Sequence, residues 1–193
     1  MKAGFLITAI GFFLSSFCFN IGGIRVLPPF IGLFIMILGL SKTRNFYSSA
    51  YSRAASSVYK INAVLSLFGS ILSLSKYTEE SPLGSILPAL PFIYALSAVL
   101  CAVGIALLFV QMAEYFTKYS TCAPMWKSVR IIIPALYSAS QFFVAAYEVT
   151  SFSALSNIVF FSTVGVNLLL TLFLVIAAFS DHSAVKRESP SAE

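Results

Sequence analysis

Charge is what this chain has least of. Only 10% of its 193 residues are charged, seven acidic against twelve basic, with one histidine and one tryptophan. Soluble domains carry roughly 25% charged residues, so this composition cannot supply a water-facing surface. The lone histidine, His182, falls in a polar stretch near residue 193. A serine–histidine hydrolase therefore has no base, and a membrane zinc site has no ligand set. There is no glycine-rich phosphate loop, and no carboxylate pair stands at helical spacing within an apolar stretch. Glu79 and Glu80 are adjacent beside Lys76 and read as a solvated turn. Cysteine is scarce too. Cys18, Cys101 and Cys122 fall in a first helix, a fourth helix and a cytoplasmic loop of the reading below, with no shared oxidising compartment and no metal-ligand spacing. No disulfide, metal or cofactor is expected.

What remains is oily. Hydrophobic residues make up 59% of the chain, phenylalanine alone occurs 19 times, and mean hydropathy is +0.91. Six apolar runs are present, at about 3–19, 24–40, 58–74, 86–110, 131–147 and 153–179. Each reaches or approaches the roughly 17 to 25 residues that cross a bilayer as a helix. Strands of a β-barrel would instead be about ten residues long with alternating polarity. In lipid every backbone N–H needs a partner within its own segment, so the fold class is all-α: an integral membrane bundle of six transmembrane helices over residues 1–180, followed by a short polar tail, 181–193.

The net charge of +5 reports topology rather than nucleic-acid binding. Counted from a cytoplasmic N-terminus, Lys2, Lys42, Arg44, Arg53, Lys60, Lys118, Lys127, Arg130, Lys186 and Arg187 fall on one side, and only Arg25 and Lys76 on the other. The bias puts both termini in the cytoplasm. A cleaved signal peptide is the competing reading of the first run, which has a basic start and small residues at Ser16 and Cys18. The short gap to the second run favours a helical hairpin.

In "NIGGIRVLPPFIG", Asn20, Gly22 and Gly23 supply a tight outer turn, and Pro28 and Pro29 fit the first turns of the second helix. "KAGFLITAIGFFLS" from Lys2 and "KINAVLSLFGSILS" from Lys60 align without gaps, Gly11 with Gly69, as a two-helix parallel repeat would. Tyr47, Tyr51, Ala54 and Val58 recur at helical spacing. They suit either an amphipathic helix on the inner membrane surface or a plain extension of the third helix.

Within the apolar cores no Asp, Glu or His occurs, which removes a carboxylate-based proton relay. The polarity there is uncharged. Asn62, Ser66, Ser70 and Ser73 form one stripe, Tyr137, Gln141 and Glu148 another, and Thr163, Asn167 and Thr171 a third. Gln141 and Asn167 reach similar depth and could bond to each other. Interhelical stitching is the default role of such groups; the functional alternative is a polar central cavity built from Asn62, Ser66, Ser70, Tyr137, Gln141, Asn167 and Thr171. Gly4, Thr8, Gly11 and Ser15, and likewise Ala98, Ala102 and Ala106, are small-residue stripes that let backbones approach, within one chain or between two.

Across Asn20–Lys42, with Leu27, Pro28, Phe30, Ile31, Gly32, Gly39 and Leu40 in a pattern of the form I-x-x-L-P-x-F-I-G, the chain resembles a group of small multi-helix integral membrane proteins of Gram-positive bacteria, especially clostridia. Pro29 departs from that pattern, which has an acidic residue after the first proline. The resemblance implies a helical membrane fold in the bacterial cytoplasmic membrane and no established activity. The leading expectation is a small permease-like carrier of a neutral or lipidic molecule. The alternative is a non-catalytic accessory or scaffold subunit with a membrane-protein partner or a second copy of itself; an enzyme, working through Glu114, Lys118 or Arg130 at the membrane surface, ranks third. The lipid bilayer is the one partner common to all three.

Overall fold

Two prolines and a serine set the first helix boundaries. In a computed structural model, which describes residues 2–17, 20–21, 24–25, 28–75, 88–119, 123–150 and 155–185, α1 (Lys2–Ser16) leads into a two-residue antiparallel ladder. Its strands are β1 (Asn20–Ile21) and β2 (Ile24–Arg25), with Asn20 opposite Arg25. The expected corner is thus a backbone-paired reversal; Gly22 and Gly23 lie outside the described residues. Pro28 caps α2 (Pro29–Phe46) in an extended conformation, and Pro29 occupies its first turn, where a missing N–H costs little.

Ser49 decides how the next segment reads. Its Oγ accepts the Ser52 N–H at 3.1 Å while Ser52 Oγ accepts the Ser49 N–H at 3.3 Å, a reciprocal cap that starts α3 at Ala50. From there α3 (Ala50–Ser75) is continuous, so the stretch around Tyr51 and Val58 is an extension of the third helix and not a separate surface helix. α4 (Leu90–Tyr119), α5 (Ala123–Thr150) and α6 (Leu155–Val185) follow. α4 runs nine residues past the expected end at Val110, because Met112, Tyr115 and Phe116, interleaved with polar residues, carry a buried face onward at helical spacing. α6 likewise absorbs 181–185 of the expected tail; 186–193 lie outside the described residues, as do Cys18, Cys122, Lys76, Glu79 and Glu80. Pro134 stands inside α5, where it cannot donate to the Arg130 carbonyl.

Each helix packs against the next, and α6 returns to α1, so the six described helices form a closed antiparallel ring. Lys2 Nζ sits 4.8 Å above the Phe179 ring, which brings the start of α1 and the end of α6 to one end of the ring, called here the terminal end. Lipid is as apolar as the core, so close packing rather than transfer from water holds such a ring together. The tightest seam joins α1 to α2. A Cβ on Gly11 would lie 2.7 Å from the Gly32 carbonyl oxygen, and one on Gly39 would lie 2.5 Å from the Thr8 backbone nitrogen. The α1 stripe of small residues is therefore occupied by α2 of the same chain.

Four helices, α3 to α6, are long and apolar enough to cross a membrane. α1, at 15 residues, extends about 22 Å, short of the roughly 30 Å hydrocarbon core. α2 is 18 residues long but ends in the polar sequence Ser41–Asn45.

Candidate functional site

The two halves of the ring are filled differently. Toward the terminal end the axis is closed by aromatic rings: Phe116 stacks on Trp126 at 4.2 Å and on Phe5 at 5.9 Å, and Tyr115 meets both Phe116 at 5.1 Å and Tyr47 at 5.6 Å. Leu108, Phe109 and Met112 complete this buried layer. Toward the far end a cavity of about 190 Å³ takes its place.

Five helices line that cavity. Ser15 and Ser16 come from the end of α1, Leu33 from α2, Ser97 and Cys101 from α4, Tyr137, Gln141 and Glu148 from α5, and Thr163 and Asn167 from α6. Cys101 is eleven residues into α4 and Asn167 twelve residues into α6, so the lining reaches about 17 Å of helix from the far end. Glu148, near the end of α5, stands at the rim. Most of the described lining residues carry a hydroxyl or an amide, interspersed with Pro29, Leu33, Ala98 and Val144, and no lysine or arginine is among them.

Behind this wall, α3 contributes one stitch. Asn62 is fully buried, donates from Nδ2 to Cys101 Sγ at 3.0 Å, and accepts from Ser97 Oγ through Oδ1 at 2.7 Å. Tyr137 also bonds to Cys101 and meets the edge of Phe12 at 5.8 Å. Below Cys101, Tyr59 lies against Gly104, where an added Cβ would sit 2.7 Å from its ring carbon Cζ. The polar floor of the cavity therefore passes directly into the aromatic layer.

Of the residues singled out from sequence, Tyr137, Gln141 and Asn167 meet at the cavity. Asn62 supports it from behind. Ser66, Ser70 and Thr171 do not reach it: Ser70 Oγ donates to the Ser66 carbonyl at 2.8 Å, and Thr171 Oγ1 to the Asn167 carbonyl at 2.8 Å, each within its own helix. A bond between Gln141 and the Asn167 side-chain oxygen is not formed, since that oxygen has no partner. Thr163 Oγ1 and Ser140 Oγ are likewise buried without partners. Ser97 has no place in the sequence reading and Cys101 enters it only as a free cysteine; their four-residue spacing on one face of α4, beside the more regular alanine stripe, is the signal that joins them. Gln111 also escaped notice. It is buried in the terminal half with neither amide atom bonded.

No protein-family model, curated protein or solved structure matches this chain. Among the described residues no group of three or more His, Cys, Asp or Glu could hold a metal ion.

Proposed function

We propose that the chain is a six-span protein of a bacterial cytoplasmic membrane, with both termini in the cytoplasm, whose cavity receives a small neutral or lipidic molecule as a permease-like carrier. One observation carries the proposal: four helices, α1, α4, α5 and α6, bring uncharged polar side chains to the lining of a single space, and two of those residues, Thr163 and Asn167, have buried oxygens without partners. A buried polar group left unbonded costs about 1–3 kcal/mol, which a bound hydroxyl or amide would relieve. The absence of any lysine or arginine among the described lining residues favours a ligand without negative charge. Lys42, Arg44, Arg53, Lys118, Lys127 and Arg130 cluster toward the terminal end, which supports a cytoplasmic terminal end by the positive-inside bias. The bacterial assignment follows the resemblance across Asn20–Lys42.

The test is purification followed by native mass spectrometry and uptake of radiolabelled glycerol into liposomes. A molecule retained by the native protein, and lost from Asn167→Leu and Gln141→Leu with the melting temperature preserved, supports the carrier. Retention of the same molecule in both variants would overturn it. Isolation with one stoichiometric membrane partner and an empty cavity would favour the accessory role.

A further inference from the structure

The polar cavity does not stand alone. Between α1, α5 and α6 lies an apolar gap of about 480 Å³, and three of its lining residues, Ser16, Val144 and Thr163, also line the polar cavity. On the other side of α5, between α4 and α5, a second apolar groove of about 310 Å³ shares Gln141 with it. α5 thus stands between two oily slots, each of which shares lining residues with one polar chamber. α4, α5 and α6, which form most of both slots, are apolar enough to span a bilayer, so the open sides of the slots would face lipid.

Building on the carrier reading, we infer that the ligand is a two-chain neutral lipid of the diacylglycerol type. Its hydroxyl-bearing glycerol end would sit in the polar cavity, and its acyl chains would straddle α5 in the two slots. The dimensions agree, because the apolar volumes exceed the polar one, as chains exceed a glycerol end. The chemistry agrees too. Thr163 and Asn167, which line the cavity, have buried oxygens without partners that a hydroxyl could satisfy, whereas a phosphodiester would meet no cation among the described lining residues.

The experiment uses the full chain in nanodiscs with a diacylglycerol carrying a photoreactive diazirine on one acyl chain. Adducts are expected at Val159 or Phe160 in the first slot and at Val103 or Phe142 in the second. Val159→Trp and Ala102→Trp, each filling one slot, should each lower labelling in that slot at least fivefold. Leu172→Trp, a lipid-facing control, should not. Melting curves identify any variant that fails to fold, and Val159→Phe and Ala102→Phe then serve instead. Labelling spread evenly over lipid-facing residues, or unchanged by filling the slots, would overturn the inference. Equal competition by phosphatidylglycerol would overturn the neutral-headgroup part. Glycerol uptake separates the two levels: if Asn167→Leu abolishes it while slot variants leave lipid labelling unchanged, the carrier reading stands and the lipid inference falls. If Asn167→Leu affects neither glycerol uptake nor labelling, both fall.

Discussion

Asn62 and Gln111 are both buried amides in apolar helices, and their energetics are opposite. Asn62 has its donor and acceptor engaged across the α3–α4 interface, so Asn62→Leu strips partners from Ser97 and Cys101. We expect it to lower stability in detergent by about 1–2 kcal/mol, near the upper range for interhelical polar bonds. Gln111 has no bond to lose, so Gln111→Leu removes an unmet desolvation cost and should be neutral or stabilising by about 1 kcal/mol. Thermal melts of the two variants side by side check the contrast; a Gln111→Leu protein that melts well below the parent would contradict it. Sequence alone identified Asn62 as part of a polar stripe but could not tell bonded from unbonded amides. That difference depends on which side chains of a neighbouring helix arrive at the same depth, and helical periodicity within one segment holds no such information. Ser97, and the part Cys101 plays beyond a free thiol, are illegible for the same reason, since both look incidental until α3 and α5 are set beside them.

Among elements, the α1–α2 seam is the most demanding. Because a Cβ on Gly11 would meet backbone atoms of α2, Gly11→Ala must separate the two helices, and a loss of about 2–4 kcal/mol is expected, in the range of overpacked or disrupted cores. Gly165 provides the internal comparison. Nothing lies within 4 Å of a Cβ placed there, so Gly165→Ala should gain up to about 1 kcal/mol from helix propensity alone. Unfolding measurements in one detergent compare both. The aligned glycines of the two sequence segments behave alike in direction and differently in closeness: Gly11 faces the backbone of the following helix, while Gly69 faces the side chains of Tyr94 and Ile93 at 3.2 and 3.3 Å. Helix number and the small-residue stripe were legible because apolar run length and fourfold spacing are local signals. The start of α3 was not, because it depends on a serine cap that hydropathy ignores. Nor was the far extent of α4, whose last turns mix buried Met112, Tyr115 and Phe116 with polar residues and so lower the hydropathy while the helix continues.

On the scale of the whole molecule, the arrangement predicts asymmetric access. In a background with Cys18, Cys101 and Cys122 each replaced by serine, Thr163→Cys should react with a membrane-impermeant maleimide added outside intact cells. Met112→Cys, within the aromatic layer, should stay unreacted from either face. Reaction of Thr163→Cys only in inverted vesicles would reverse the proposed orientation. The ring closure of α6 on α1, which creates the chamber, could not be read from the sequence, since it joins the two most distant segments and leaves no periodic trace in either.

The glycine seam also assigns mechanical parts. α1 and α2 touch through their main chains, so sliding or tilting one against the other meets hard-sphere repulsion immediately, and the pair is expected to move as one body. α5 and α6 make the sparsest contact in the ring and carry the wide slot beside them. If the chamber turns toward the opposite face, the ring would part most readily at the α5–α6 seam, with α5 moving together with α4, to which it is broadly packed.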